Sequence, residues 1–378
     1  MSESFGSRAE GYAVNRGMEV HWKLKAIIQN AVSLLPSDVS YEAYYRLQRK
    51  YGGLRFVSPI VGMEDGIRIV DGIEKAGRSV EQRVFLEVGT GRTVSTPIAL
   101  WLSGAARVIT IDLNPYLKRE LIEEEINYIR EHQDSVKAMF SGRPDQDGFL
   151  ERFNILLEEK TSVDEFLKKA GIEYVAPADG RRLPIKENTV DYHISNNVFE
   201  HISPADLQEI LVEGKRVIKE DGLLVHRVDF SDHFSHNDRK ISSINFLQYS
   251  ERQWLRYAGN RYMYHNRLRI DEIQELIADT DLSIVLQECE VDQNAVRQIE
   301  SGLKLAPRFA GKPKEVNATD TALLVVSKID VAAATPQSNR SNRPVLSTSA
   351  ARMNAGGNFT GRRQEGFADP DRQGVQLQ

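Results

Sequence analysis

Apolar residues in the middle of the chain form short runs separated by longer amphipathic stretches. The runs at 84–88 and 108–111 have the length and composition of buried β-strands. Residues 95–103 and 116–133 instead repeat apolar positions every three or four residues, which predicts helices. Further strands are predicted at 172–175, 190–195, 223–228, 282–288 and 321–327, and further helices at 204–219 and 271–279. This alternation predicts an α/β fold whose mainly parallel sheet has helices on both faces.

The regions before, after and between these predicted elements have other patterns of apolar and polar residues. Helical periodicity marks 22–35 and 41–51, whereas the two ends of the chain are polar and lack apolar periodicity. Two long segments interrupt the sheet pattern, and long additions to a regular sheet often carry function. The predicted organisation is a flexible N-terminus at 1–17, a helical cap at 18–83, an α/β domain at 84–330 with insertions at 134–170 and 230–269, and a disordered tail at 331–378.

Composition narrows the function classes. Lysine and arginine total 49 and aspartate and glutamate total 54, so the net charge is −5, which argues against a strongly basic nucleic-acid binder. A single cysteine, Cys289, excludes an intrachain disulfide framework and fits a cytoplasmic protein. No apolar run reaches the roughly 18 residues of a membrane helix. We therefore expect a cytoplasmic protein that neither binds nucleic acid nor spans a membrane, and its oligomeric state is left open.

The segment FLEVGTGR at 85–92 joins a predicted strand to a helix through a glycine-rich turn. Gly89 and Gly91 allow the backbone to approach a ligand closely. Asp112 ends the next strand, where an acid can accept hydrogen bonds from both hydroxyls of a ribose. A pyridine-nucleotide oxidoreductase would also account for these residues, but it leaves Asp179 and residues 195–201 unexplained.

The ordered set of FLEVGTGR, Asp112, ADG at 178–180 and SNNVFEHI at 195–202 resembles class I S-adenosylmethionine-dependent methyltransferases of the type 11-like group. The resemblance implies a Rossmann-like seven-stranded methyltransferase sheet with an antiparallel last strand, a helical N-terminal cap and inserted lid segments. It also implies S-adenosylmethionine as cofactor. The implied cofactor-binding residues are Glu87, Gly89 and Gly91 at the methionine and ribose, Asp112 at the ribose hydroxyls, Leu113, Asp179 and Gly180 at the adenine, and Asn196 near the sulfonium. Arg92 departs from the small residue common at its place.

A looser resemblance points to the acceptor. Residues 41–55, 229–243 and 266–269 resemble bacterial methyltransferases associated with surface-polysaccharide or glycolipid assembly. This resemblance favours O-methylation of a sugar hydroxyl in a polysaccharide or glycolipid precursor. Two alternatives stay open: O- or N-methylation of a small natural product or lipid headgroup, and a non-catalytic scaffold with a methyltransferase fold.

Methylation of a hydroxyl requires a base or a metal to assist loss of its proton. His201, preceded by Glu200, follows the fourth strand at the ligand-binding edge and is the predicted catalytic base. The alternative is that both residues only cap or orient the next turn.

The segment after the fifth strand offers candidate substrate-binding residues. His226, Asp229 and His233 are predicted to contact the acceptor, and Arg267 is predicted to bind its charged groups. The alternatives are a polar lid and a solvated basic helix face. A divalent metal is not favoured, because the histidine spacing matches no compact zinc motif.

Overall fold

The structure is a computed structural model, and it describes residues 21–143, 145–158 and 161–328. The predicted flexible N-terminus and disordered tail lie outside the described residues. The strands are β1 Val84–Val88, β2 Arg107–Ile111, β3 Ile172–Val175, β4 Val190–Asn196, β5 Ile218–Asp229, β6 Ser283–Val291 and β7 Thr319–Ser327. The helices are α1 Trp22–Ser33, α2 Ser37–Tyr51, α3 Ile60–Lys75, α4 Ser95–Leu102, α5 Arg119–Glu131, α6 Gln133–Met139, α7 Gln146–Leu157, α8 Val163–Lys169, α9 Pro204–Val217, α10 Glu251–Ala258, α11 Ile270–Ala278, α12 Gln293–Glu300, α13 Pro307–Ala310 and α14 Lys314–Asn317.

The seven strands form one sheet in the order β3-β2-β1-β4-β5-β7-β6. Strands β1 to β5 pair in parallel, and β7 runs antiparallel to both β5 and β6. This order confirms the predicted Rossmann-like methyltransferase sheet. The carboxyl ends of β1, β2, β4 and β5 therefore lie along one edge, which is where open α/β sheets bind ligands.

Side chains of the central strands alternate between two apolar layers, as the two-residue period of a strand requires. Phe85 packs with α3, α4 and the α5–α8 region on one face, and Leu86 packs with α9 and α11 on the other. The insertion at 134–170 forms α6 to α8, and its buried Phe149 and Phe153 belong to the first layer. This insertion therefore has a packing role in the core.

Helix α1 packs on the 230–269 insertion. The Trp22 ring lies 5.5 Å from Phe234 and 4.8 Å from Tyr257, measured between ring centroids, and it also contacts Trp254. The Trp22 backbone N–H donates to Asp238 Oδ2 at 3.0 Å. The predicted cap and the second insertion thus share a third apolar cluster.

Helices α12 to α14, between β6 and β7, are absent from the sequence prediction. Helices α12 and α13 contribute Ala295 and Phe309 to the cluster around Trp22. Within the ranges described above, no helix is both long and apolar enough to cross a bilayer.

Candidate functional site

The glycine-rich turn after β1 adopts the backbone conformation for which glycine is suited. Gly89 has φ +91° and Gly91 has φ +67°, values that residues with a side chain rarely adopt. A Cβ atom on Gly89 would lie 2.4 Å from Val198 Cγ2, so this glycine permits the turn to pack against the loop after β4. A Cβ on Gly91 would meet no atom within 4 Å. The backbone at Gly91 therefore faces open space at the ligand edge of the sheet.

Asp112 stands beside this turn at the end of β2. Its Oδ2 accepts from the Gly91 backbone N–H at 2.8 Å, and its Oδ1 accepts from the Asn114 backbone N–H at 2.9 Å. Burial raises the pKa of Asp112, although these backbone hydrogen bonds oppose the change. Leu113, the residue after Asp112, is 64% exposed. The pair offers a carboxylate and an apolar surface side by side, which suits a nucleoside.

Glu87 lies beneath the turn and is 2% exposed. Thr110 Oγ1 donates to its Oε2 at 2.5 Å and also contacts Thr90 Oγ1 at 2.6 Å. Burial raises the pKa of Glu87 to about 7. The structure thus links Glu87 to the glycine turn through two threonines that the sequence interpretation did not single out.

The remaining predicted cofactor residues have protein partners of their own. Asp179 forms a bidentate ion pair with Arg181: Nε donates to Oδ1 at 2.9 Å, and Nη2 donates to Oδ2 at 2.7 Å. Gly180 is buried, and a Cβ there would lie 3.2 Å from Val88 Cγ1. The Asn196 side-chain amide lies 3.3 Å from both Asp65 Oδ2 and Thr96 Oγ1. Asn196 Oδ1 is buried without a hydrogen-bond partner.

Glu200 and His201 lie on a 3-10 turn, Phe199–His201, directly after β4. His201 Nδ1 is 2.9 Å from the carbonyl oxygen of Tyr264. Because a carbonyl can only accept, Nδ1 carries the proton and Nε2 keeps its lone pair. Desolvation and the nearby His233 lower the pKa of His201 to about 4. Burial raises the pKa of Glu200 to about 8.

The segment after β5 brings a second histidine to this turn. His233 Nε2 lies 3.2 Å from Asp229 Oδ2 and 4.0 Å from Glu200 Oε1. Its ring centroid lies 4.9 Å from the centroid of His201. Burial alone would lower the pKa of His233, but its hydrogen bond with Asp229 and the charge of Asp229 outweigh burial and raise it. Four predicted residues, Glu200, His201, Asp229 and His233, therefore form one histidine–carboxylate cluster.

Two predicted substrate-binding residues lie in the interior instead. His226 is fully buried in β5, with Nδ1 2.9 Å from Ser195 Oγ and its ring against Phe199. Arg267 is 1% exposed and donates to the carbonyl oxygens of Phe246 and Tyr249 at 2.8 and 2.7 Å. The structure does not bring either side chain to the surface of the site, and Arg267 satisfies buried backbone acceptors.

Sequence reasoning missed the contacts that Arg92 makes. Its guanidinium lies 5.0 Å from the Tyr116 ring centroid and 5.7 Å from that of Tyr45 on α2. Tyr41 on α2 also packs on Tyr116, at 5.4 Å between centroids. Helix α2 thus packs against Arg92, beside the glycine turn, through an arginine–tyrosine cluster. The aromatic and basic composition of 41–51 was the available signal, since tyrosine faces attract guanidinium groups.

Comparison with known proteins agrees with this architecture. Residues 155–226 match a family model described as a methyltransferase domain. This match runs from α7 into β5 and includes Asp179, Asn196, Glu200 and His201. A search of curated proteins finds no significant match.

Solved structures resemble the chain at low identity. One is geranyl diphosphate C-methyltransferase from Streptomyces coelicolor, with 9% identity, TM-score 0.40, and coverage of 70% of this chain and 79% of that one. Another, provisionally named a methyltransferase, was solved with the Haloferax volcanii Trm112 methyltransferase activator. It shows 18% identity and a TM-score of 0.37, and the match covers 71% of this chain and 92% of that one. The strand order and the family match together give this chain the Rossmann-like methyltransferase fold, with a methyltransferase domain match at residues 155–226.

Proposed function

We propose that the protein is an S-adenosylmethionine-dependent methyltransferase that methylates a sugar hydroxyl, within a polysaccharide or glycolipid precursor. The cofactor supplies an activated methyl group on a sulfonium. The protein must then hold the cofactor, align the acceptor oxygen and assist loss of the hydroxyl proton.

One observation carries the proposal. Groups suited to binding a nucleoside and groups suited to removing a hydroxyl proton lie at the same edge of the sheet. The open backbone at Gly91 and the carboxylate of Asp112 are joined by a hydrogen bond of 2.8 Å. Val198, which touches Gly89, belongs to the loop that leads directly to Glu200 and His201. Glu87, Leu113, Asp179, Gly180 and Asn196 complete the proposed cofactor site.

The histidine–carboxylate cluster supports oxygen as the methylated atom. A neutral amine needs no base in order to attack, whereas a hydroxyl becomes a good nucleophile only as its proton leaves. His201 presents Nε2 with a free lone pair, and Asp229 and His233 lie beside it. We assign proton removal to this cluster, with His201 as the base that the sequence predicts.

Aromatic residues of the cap and of the 230–269 insertion support a sugar as acceptor. Tyr44 and Tyr262 stack at 4.1 Å, and Tyr41 lies 5.8 Å from Tyr262, each measured between centroids. The Arg261 guanidinium lies 5.6 Å from the Tyr41 ring. Aromatic faces and a cation suit a sugar that bears phosphate or carboxylate groups. The choice of a polysaccharide or glycolipid precursor rests on the sequence resemblance.

Calorimetric titration with S-adenosylhomocysteine, with NADH as control, tests the cofactor. We expect micromolar binding of S-adenosylhomocysteine alone. Gly91→Arg should abolish it, whereas Gly302→Arg should not. Gly302 is a matched control because it also has positive φ, +94°, and its Cβ would likewise meet no atom within 4 Å. Absence of binding by the folded wild-type protein would overturn the proposal and favour the scaffold alternative.

Transfer of a labelled methyl group from S-adenosylmethionine tests the acceptor. Nucleotide sugars and lipid-linked sugars are compared with small phenols and amines as acceptors. Label in a sugar methyl ether is the expected result. Label found only in an amine or a lipid headgroup would contradict the sugar assignment while leaving the cofactor assignment intact.

A further inference from the structure

The carboxylate of Glu200 is buried in an unusual way. Its side chain is 1% exposed, and neither oxygen meets a hydrogen-bond donor at normal geometry. Buried carboxylates ordinarily have such partners because an unpaired buried charge is costly. Glu125 shows the ordinary arrangement: it is equally buried, and it accepts from the Val94 backbone N–H at 2.8 Å and from the Ser95 hydroxyl. The backbone N–H groups of Glu200 and Asp229 lie near the carboxylate but do not meet it at hydrogen-bond geometry, so Glu200 keeps unused acceptor capacity.

The groups that face Glu200 are potential metal ligands. His201 Nε2 and His233 Nε2 each lie 4.0 Å from Glu200 Oε1. One potential ligand atom from each of the three residues lies within 4.8 Å of the others. Ligand atoms that share an ion through bonds of about 2.0–2.2 Å are separated by roughly 3–4 Å. Small side-chain movements would close these three groups around one cation, and His233 Nε2, which now faces Asp229 Oδ2 at 3.2 Å, would give up its proton when it binds the ion.

The surroundings of His201 match those of a metal-binding histidine. Such histidines usually donate their second ring N–H to a carbonyl or carboxylate, which fixes the ring and the tautomer. His201 Nδ1 meets the Tyr264 carbonyl oxygen at 2.9 Å, so Nε2 is the nitrogen turned toward Glu200. His201 also leaves the cluster open to solvent, because its side chain is 39% exposed. An oxygen ligand could therefore reach a cation held there.

We propose that Glu200, His201 and His233 bind a divalent transition-metal cation, with Zn²⁺ or Mn²⁺ as the class. Two imidazoles and one carboxylate suit such ions, whereas Mg²⁺ and Ca²⁺ prefer all-oxygen sites. This departs from the sequence expectation, in which a metal was not favoured. The role of the ion rests on the proposed function and changes one assignment in it. An acceptor hydroxyl at the open position of the ion would be acidified and would lose its proton to solvent, and His201 would then act as a ligand and not as the base.

Metal binding is measured without relying on activity. The tag-free full chain is stripped with a chelator and titrated calorimetrically with Zn²⁺, Mn²⁺ and Mg²⁺, and Co²⁺ is added to record its visible absorption. We expect the chain to bind one equivalent of Zn²⁺ or Mn²⁺ and to bind Mg²⁺ with lower affinity. The absorption spectrum of bound Co²⁺ should be typical of nitrogen and oxygen ligands. Glu200→Gln and His233→Gln should each weaken binding at least 100-fold.

Matched variants control for burial and for surface histidines. Glu125→Gln changes a buried glutamate that has its own donors, and His132→Gln removes an exposed histidine. Both should bind metal as the wild-type protein does. If Glu200→Gln does not fold, His201→Gln replaces it, because this side chain is partly exposed. Absence of stoichiometric binding, or binding that persists in Glu200→Gln and His233→Gln, would overturn the site and identify His233 as the ion-pair partner of Asp229 alone.

The metal site and the proposed methyltransferase function can be overturned independently of each other. Binding of S-adenosylhomocysteine without any bound metal would overturn the metal site and leave the methyltransferase proposal in place. Metal at one equivalent with no binding of S-adenosylhomocysteine would support the site and overturn the proposed function.

Discussion

The backbone N–H of Asn266 donates to the carbonyl oxygen of Glu200 at 2.9 Å. The Asn266 side-chain amide also donates to the carbonyl oxygens of Phe199 and Ile202, at 2.7 and 2.8 Å. One residue of the 230–269 insertion thus satisfies three backbone acceptors of the turn that carries Glu200 and His201. The position of the histidine–carboxylate cluster depends on this junction.

Asn266→Ala should loosen the turn and destabilise the protein. The buried Phe199 carbonyl and the partly buried Ile202 carbonyl would lose the side-chain donor of Asn266, at a cost of about 1–3 kcal/mol in the free energy of unfolding. Urea unfolding measures this loss, and Asn127→Ala, at an exposed helix position, should change stability by less than about 0.5 kcal/mol. Equal stability of the two variants would contradict the role given to Asn266.

Arg92 and Tyr116 should be energetically coupled. Their separation of 5.0 Å, guanidinium carbon to ring centroid, predicts a cation–π attraction of about 0.5–2 kcal/mol. A double-mutant cycle of Arg92→Ala and Tyr116→Leu measures the coupling free energy. Tyr116→Phe retains the aromatic face and should keep most of it. Strictly additive effects of Arg92→Ala and Tyr116→Leu would show that the contact contributes nothing.

Arg267→Lys should destabilise the protein without a specific effect on the acceptor. Arginine reaches the carbonyl oxygens of Phe246 and Tyr249 and the Glu251 carboxylate at once, whereas lysine offers donors from a single point. We expect a loss of about 2–4 kcal/mol in the free energy of unfolding. Arg256→Lys, on the exposed face of α10, is the control. Unchanged stability with a raised KM for the acceptor would instead support the prediction that Arg267 binds substrate.

Glu125 should make stability depend on pH in a defined direction. Burial raises its pKa to about 7 in the folded protein, against hydrogen bonds from Ser95 and Val94 that lower it. The protonated form is therefore favoured by folding, and its stabilising effect is complete below the ordinary carboxyl pKa and lost as pH rises through 7. Relative to wild type, Glu125→Gln should gain about 2–3 kcal/mol in the free energy of unfolding between pH 5 and pH 8. Denaturant unfolding at both values tests this, with exposed Glu151→Gln as control.

Much of the sheet could be predicted because its strands are short apolar runs between polar turns. The boundaries of β1 and β3 agree with the prediction at both ends. Strand β5 begins five residues before the predicted position because Ile218 and the polar residues after it extend β5 beside the start of β4. Charged residues there give no apolar signal. The four-residue helices α13 and α14 are likewise too short to show a helical period.

Part of the candidate site could be predicted from the order of the motifs along the chain. Motif order located Gly91, Asp112 and His201 at strand ends, but it could not show which later histidine would meet His201. Strand alternation offered one usable signal: His226 shares its face with Leu224, which lies in the core, so its burial could have been foreseen. The burial of Arg267 depends on distant backbone carbonyls, and spacing along the chain contains no information about them.

The pairing of α1 with the insertion after β5 also bears on how the protein is made. Trp22 and Asp238, joined by a hydrogen bond, are 216 positions apart. During synthesis, α1 emerges from the ribosome long before Phe234 and Trp254, and its apolar side chains have no native partner in that interval. We therefore expect the cluster around Trp22 to assemble late, and nascent chains that stop before residue 230 to need chaperones.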